Sequence, residues 1–171
     1  MTIRQLVKSD DPILRASPDR FDFNQPDSFE RAKQLAIDLT ETMIANNGLG
    51  LAAPQIGVCQ RAFVIKSNPV IAVFNPIVVD FSEQIVELEE GCLSFPHLIL
   101  KITRPGIIRV RYTRPNGDVV TEKYTGITAR IFQHELDHLN GKLFTTHVGK
   151  VALDVAKRKA VKKAKVYDKG M

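Results

Sequence analysis

The nine residues Gln133-His134-Glu135-Leu136-Asp137-His138-Leu139-Asn140-Gly141 constrain this chain more than any other stretch. Side chains four apart on a helix share one face, with Cβ atoms ~5–6 Å apart, so His134 and His138 can hold a single metal ion only if the stretch is helical. Glu135 follows about a quarter turn round the axis, beside such an ion rather than on it, where a carboxylate can serve water as a general base. The fold must therefore bury one face of this helix and leave the histidines beside an open cleft. Two histidines on an ordinary amphipathic helix give the same pattern, so other residues must decide.

An open catalytic site uses three protein ligands and keeps one position free. After His138 the chain puts Phe144 where metzincin spacing wants a third histidine, and phenylalanine binds no metal. No glutamate follows Glu135, which removes the thermolysin-like arrangement. The third ligand is then to be sought upstream, and the obvious candidate is Cys92 in Glu89-Glu90-Gly91-Cys92-Leu93-Ser94. A cysteine just past a strand and next to a glycine sits on a fixed frame with its sulfur able to face a cleft; its alternative role is a small buried hydrophobe. Cys59 lacks such a setting and is read as an ordinary side chain.

Turn formers at Ser9-Asp10-Asp11-Pro12 and Ser17-Pro18-Asp19 predict an irregular wrap before the first helix. That helix is expected to start with Asp27 as N-cap and Glu30 as its capping-box partner, and to bury Phe29, Ala32, Ala36, Leu39 and Met43. Asn46-Asn47-Gly48 supplies the positive-φ residue that ends a helix. Strand-like runs follow at 61–66, 70–74 and 84–89. Ile108, Val110 and Tyr112 alternate with Arg109, Arg111 and Thr113, and Pro115-Asn116-Gly117-Asp118 turns the chain into 119–124, a hairpin signal. Gly126 then opens the HExxH helix, capped by Thr125 or Thr128. A helix, a run of strands and a second helix, without βαβ alternation, predict one α+β domain of mostly antiparallel strands around a central metal-binding helix.

The chain's 171 residues suit one domain that needs no disulfide. Its 44% hydrophobic and 25% charged content is that of a globular protein. No run approaches the ~20 apolar residues of a membrane span, and the first residues lack a signal-peptide pattern, so a cytoplasmic location with no membrane partner is expected. A Cys59–Cys92 disulfide would consume the proposed ligand, which also calls for a reducing compartment. The net charge of +5 is uneven: eight basic residues against two acidic ones from Lys150 onward make that segment +6 and leave the rest at −1. The expected division is a catalytic body, 1–149, and a basic C-terminal tail, 150–171, helical with Ala152, Ala156, Ala160 and Ala164 as a small apolar stripe. DNA is not an expected partner.

Three segments in order, Gly48-Leu49-Gly50-Leu51-Ala52-Ala53-Pro54-Gln55, Glu90-Gly91-Cys92-Leu93-Ser94 and Gln133-His134-Glu135-Leu136-Asp137-His138, resemble the peptide deformylase family, and the similarity runs from about Ile3 to Val148. The resemblance implies a metal-dependent hydrolase that removes the formyl group from N-formylmethionine on newly made polypeptides and releases formate. It implies Cys92, His134 and His138 as ligands, Fe(II) as the native ion with Zn(II) as an alternative, and Glu135 as proton carrier. Gly50 would approach the substrate with its bare backbone, while the Gln55 side chain and the Leu93 N–H would meet the formyl oxygen. Leu49, Leu93, Ile127 and Ile131, with the Arg130 stem, would wall the methionine pocket. Glu90 and Arg104 match positions that form an ion pair bracing the cysteine loop, and in some members a C-terminal helix docks on the ribosome. One departure is the apolar His97-Leu98-Ile99-Leu100, where many bacterial members have an arginine near the cleft mouth. His97 and His147 are read as solvated or hydrogen-bonded side chains. Two rival functions share some of these features: an HExxH metallo-endopeptidase, and a non-catalytic ribosome- or RNA-binding module.

Overall fold

A computed structural model describes residues 3–167. Along the chain come α1 (Ser28–Ala45), β1 (Gly50–Ala52), β2 (Ala62–Ile65), β3 (Ile71–Phe81), β4 (Ile85–Cys92), β5 (Phe95–Pro105), β6 (Ile107–Thr113), β7 (Val119–Thr125), α2 (Gly126–Leu139) and α3 (Lys150–Tyr167). Five strands form one antiparallel sheet in the order β1-β2-β3-β6-β7, and β4 and β5 form a separate hairpin. None of the described helices is long and apolar enough to cross a membrane.

The two faces of the larger sheet follow from the two-residue period of a strand. Ala52, Phe63, Ile65 and Val73 face α2, where they join Ile108, Val110, Ala129, Phe132 and Leu139 in one core cluster. Their neighbours Leu51, Ala62, Val64 and Phe74 face the other way, onto α1 and the wrap, against Ala32, Leu39, Met43 and Phe21. On α2, Ala129, Phe132, Leu136 and Leu139 recur at steps of three and four and take the sheet side, with the Phe132 ring edge-on to Phe63 at 5.0 Å. Arg130, His134 and His138 recur at steps of four on a different face, toward Cys92 and Glu90 of β4. The central helix thus fills the core with one side and serves the cleft with another.

Two details of α1 differ from expectation. Asp27 adopts left-handed backbone angles (φ 56°), and its carboxylate makes no capping bond, because that conformation turns the side chain away from the first-turn amides. Phe29 is 53% exposed rather than buried: it lies in the first turn, and its ring closes over Gly117 at the β6–β7 turn. Gly117 has φ 88°, and a Cβ there would stand 2.6 Å from the Phe29 ring, so both backbone and packing demand glycine. At the other end Asn47 (φ 54°) takes the positive-φ position, and Gly48 N–H closes the helix on Met43 O at 2.8 Å.

β1 and β5 lie where the sequence shows no clear strand, and β3 continues past Asn75-Pro76 through register shifts that let the proline into the ladder. β5 does alternate, with Leu98, Leu100, Ile102 and Arg104 buried, but the exposed Ile99 and buried Arg104 disguise it. α3 lies along β5 through Leu153, Ala156 and Ala160, which pack on Leu98, Leu100, Ile102 and Phe144. Ala152 faces outward and Leu153 replaces it in the stripe, because steps of four drift about 40° each round a helix. The wrap is tied down where it matters to the cleft: Arg4 Nε donates to Asp38 at 2.9 Å, and Val7 N–H to Gln55 O at 2.9 Å.

Candidate metal centre

Cys92 ends β4, and His134 and His138 come from successive turns of α2; one ligand atom from each lies within 4.8 Å of the other two. Cys92 Sγ is 3.3 Å from His138 Nε2. His134 Nδ1 is 2.9 Å from Glu90 Oε2, and with that nitrogen donating to the carboxylate, Nε2 keeps its lone pair for a metal. One thiolate and two imidazoles, with an open side toward a cavity, suit a four-coordinate Zn(II) or Fe(II) site with one exchangeable position. The donor chemistry therefore fits such an ion.

The cavity holds about 500 Å³ and is lined by Leu49, Gly50, Gln55, Cys92, Leu93, Ile127, Arg130, Ile131, His134 and Glu135, among others. Glu135 reaches it from α2 and is 4% exposed. Its Oε2 and His138 Nδ1 are, among the described residues, the buried side-chain polar atoms with no protein partner. Burial pushes the Glu135 carboxyl up to about 7, although the neighbouring His134 works in the opposite direction. Burial and the charge of His134 push His138 down to about 3. For His134 burial acts the same way but is outweighed by Cys92 and Glu90, whose negative charge draws a cation to this ring, and a metal ion at Nε2 can take the place of the proton.

Gln55 sits in a short 3-10 turn, Ala53–Ile56, with its amide held at both ends. Oε1 accepts from Ala52 N–H at 2.9 Å, and Nε2 donates to Ser94 Oγ at 3.1 Å and to Cys92 Sγ at 3.4 Å. The amide nitrogen therefore faces the cysteine. Gly50 passes so close to α2 that a Cβ would collide with Glu135 Oε1 and stand 2.7 Å from Ile131 Cγ2. The apolar residues do not line the cavity equally: Ile131 is 9% exposed and forms floor, whereas Leu49 and Ile127 are more than half exposed and form rim.

Glu90 anchors the wall behind the ligands. Arg104 grips both its oxygens, through Nε at 2.7 Å and Nη2 at 2.9 Å, and Arg130 Nη1 adds a contact at 2.9 Å. Burial alone would raise the Glu90 carboxyl, but bonds from His134, Arg104 and Arg130 hold it well below the usual carboxylate range. The Arg130 guanidinium is tied into the protein, since it also bonds Ile102 O and Val86 O. Two participants escape a reading of the sequence: Asp137, which accepts Arg104 Nη1 at 2.7 Å, and His147, whose Nε2 lies 2.7 Å from the same carboxylate oxygen. Asp137 stands between the two histidines in sequence, the one signal that could have marked it. His97 (φ 64°) stays at the cleft mouth, and Cys59 is exposed and free.

Residues 3–153 match the family model for polypeptide deformylase. A peptide deformylase from Thermotoga petrophila is 43% identical over 142 residues, covering 81% of this chain and 82% of that relative. The crystal structure of peptide deformylase from Thermotoga maritima is 37% identical, with a TM-score of 0.81 over 86% of this chain and 98% of the other. That of a Synechococcus elongatus peptide deformylase in complex with actinonin gives 0.84 at 33% identity, over 94% and 87% of the two chains.

Proposed function

The chain belongs to the polypeptide deformylase family, a family of hydrolases, and from that premise we propose that it removes the formyl group from N-formylmethionine at the start of newly made polypeptides, releasing formate. The observation that carries this reading is the meeting of Cys92, His134 and His138 at one end of a cavity that also holds Glu135 and the Gln55 amide.

Cys92, His134 and His138 would hold a divalent ion, Fe(II) in the native enzyme and Zn(II) as a substitute. Such an ion supplies Lewis acidity, which lowers the pKa of water and polarises a carbonyl. Glu135, buried and with one oxygen unpartnered, takes the proton of the attacking water and returns it to the leaving amine. Gln55 Nε2 and the Leu93 backbone N–H donate to the formyl oxygen as it gains charge; a donor of this kind is typically worth ~2.7–4 kcal/mol of barrier. Gly50 lets the substrate backbone approach, Ile131 and Leu93 receive the methionine side chain, and Leu49 and Ile127 close the rim. Glu90 and Arg104 keep His134 oriented from behind.

A thiolate ligand calls for a reducing compartment, and with nascent chains as its substrates the enzyme works in the cytoplasm. The exposed lysines of α3 offer a contact to the ribosome. Residues 1–149 form the catalytic unit and 150–171 the appendage. Membership of an enzyme family sets aside a purely non-catalytic binding module. A metallo-endopeptidase would cut internal bonds. Incubation with formyl-Met-Ala-Ser tests the choice: formate release without internal cleavage is expected, actinonin should block it, and internal cleavage without formate would refute the proposal.

A further inference from the structure

A continuous line of contacts runs from the protein surface to His134, and it starts at His147. This histidine ends the short turn Phe144–His147 that follows α2. Its Nε2 lies 2.7 Å from Asp137 Oδ2, and the same oxygen accepts Arg104 Nη1 at 2.7 Å. Arg104 grips Glu90 at 2.7 and 2.9 Å, and Glu90 Oε2 meets His134 Nδ1 at 2.9 Å. Exposure falls along the line, from 31% for the His147 side chain through 15% for Asp137 to 5% for Arg104 and 4% for Glu90.

We propose that His147 is a positioning residue for the metal centre: it fixes the Asp137 carboxylate, which fixes Arg104, which through Glu90 sets the orientation of His134. The inference rests on the reading of Cys92, His134 and His138 as ligands. Asp137 is the least buried acid in the line, and without His147, with Arg104 as its remaining partner, it can turn toward water. Arg104 would then hold Glu90 through Nε and Nη2 with Nη1 unanchored, free to pivot about the pair. A tilt of that plane is passed to the one hydrogen bond that keeps His134 Nδ1 occupied and Nε2 available. The turn offers a rival route, because Phe144 packs its ring 5.5 Å from that of His134. The experiment must separate the two.

The full chain, loaded with Zn(II), is mixed with a chromophoric chelator to read the rate of zinc release, and the Co(II)-loaded form is read by its visible absorption. Losing an outer-shell partner typically costs ~10–100-fold in metal affinity, so a group three contacts beyond the outer-shell Glu90 is expected to change zinc release by ~3–10-fold. His147→Leu and His147→Asn should release zinc faster by this factor and shift the Co(II) bands. His147→Gln, whose amide reaches where Nε2 stands, should behave as the parent; the Gln and Asn variants carry the test if the Leu variant does not fold. In an Asp137→Asn background His147→Leu should add nothing. Unchanged release and spectrum in His147→Asn, or an undiminished effect in the Asp137→Asn background, would overturn the proposal while leaving the metal centre intact. A parent that takes up no Zn(II) or Co(II) would overturn the metal-centre reading, and this inference with it.

Discussion

Gly50 and Glu135 occupy adjoining space, the glycine on β1 and the carboxylate on α2, so that a Cβ on Gly50 would collide with Oε1 and stand 2.9 Å from Cδ. Alanine at position 50 must displace the side chain proposed to move protons. Displacing a catalytic group by about 1 Å can cost ~10²-fold. Gly50→Ala should therefore lower kcat/KM by ~10–100-fold while bound metal stays at one per chain. Steady-state kinetics beside elemental analysis checks it, and metal loss in step with activity would point to a collapsed site.

The ligands and the base should separate cleanly. Cys92→Ala, His134→Ala and His138→Ala should each bring metal content toward none, while His97→Ala leaves it unchanged. Glu135→Ala should retain the ion and lose the ~10²–10⁴-fold typical of general acid-base catalysis. Full metal retention by Cys92→Ala would remove it from the ligand set.

Glu90 should make stability fall with acid. Its folded pKa is depressed below its unfolded value of ~4.3, so its stabilisation is complete above that value and is lost as pH falls toward the folded pKa. At neutral pH, Glu90→Gln leaves Arg104 and Arg130 with less than their counter-charge, and breaking a buried pair in this way costs ~3–5 kcal/mol. The gap in urea midpoint between parent and variant should narrow between about pH 5 and 3. A gap constant with pH would mean that Glu90 acts by packing rather than charge.

Truncation after Gly149 removes Leu153, Ala156 and Ala160 from Leu98, Leu100 and Ile102, uncovering an apolar strip on β5. The thermal midpoint should drop, since a half-buried leucine alone contributes ~1–2 kcal/mol. Turnover of a short formyl peptide should survive at lower temperature, and salt-sensitive co-sedimentation with ribosomes should weaken. Undiminished co-sedimentation would end the ribosome proposal.

The iron form should die in air and the zinc form should not. Fe(II) can reduce oxygen, and the products arise beside the Cys92 thiolate, the form of cysteine that oxidises to sulfenic and then sulfinic acid. Zinc has no redox step. Formate release followed during exposure to air, with and without catalase, checks this; equal decay of both forms would refute it.

The HExxH helix is legible because a spacing of four is itself a statement about helix geometry, and Cys92 because the usual downstream ligands are missing from the letters. The arrangement behind them is not local. Asp137 and His147 meet only because the chain reverses after Gly141, whose φ of 65° brings the Phe144–His147 turn back along α2. β5 stays hidden because its buried row ends in Arg104, a residue that pattern reading assigns to solvent. The Asp27 capping box misleads because the right residue types occur at the right spacing, and only the backbone angle at Asp27 decides whether the carboxylate can turn inward.

Because α2 seats the centre of the core on one face and carries Arg130, His134 and His138 on another, few routes are open for resistance to a cleft-filling inhibitor. Shifting or retwisting the helix would unseat Phe132 from Phe63 and Ala129 from the sheet, so escape by movement would come at the cost of folding. Changes that spare the fold are confined to the rim, where Leu49, Ile127 and Ile99 are exposed and make the fewest commitments. An inhibitor that draws its affinity from the floor, around Ile131 and the Gly50 backbone, would press on positions with little freedom to vary. One that leans on the rim would invite its own failure.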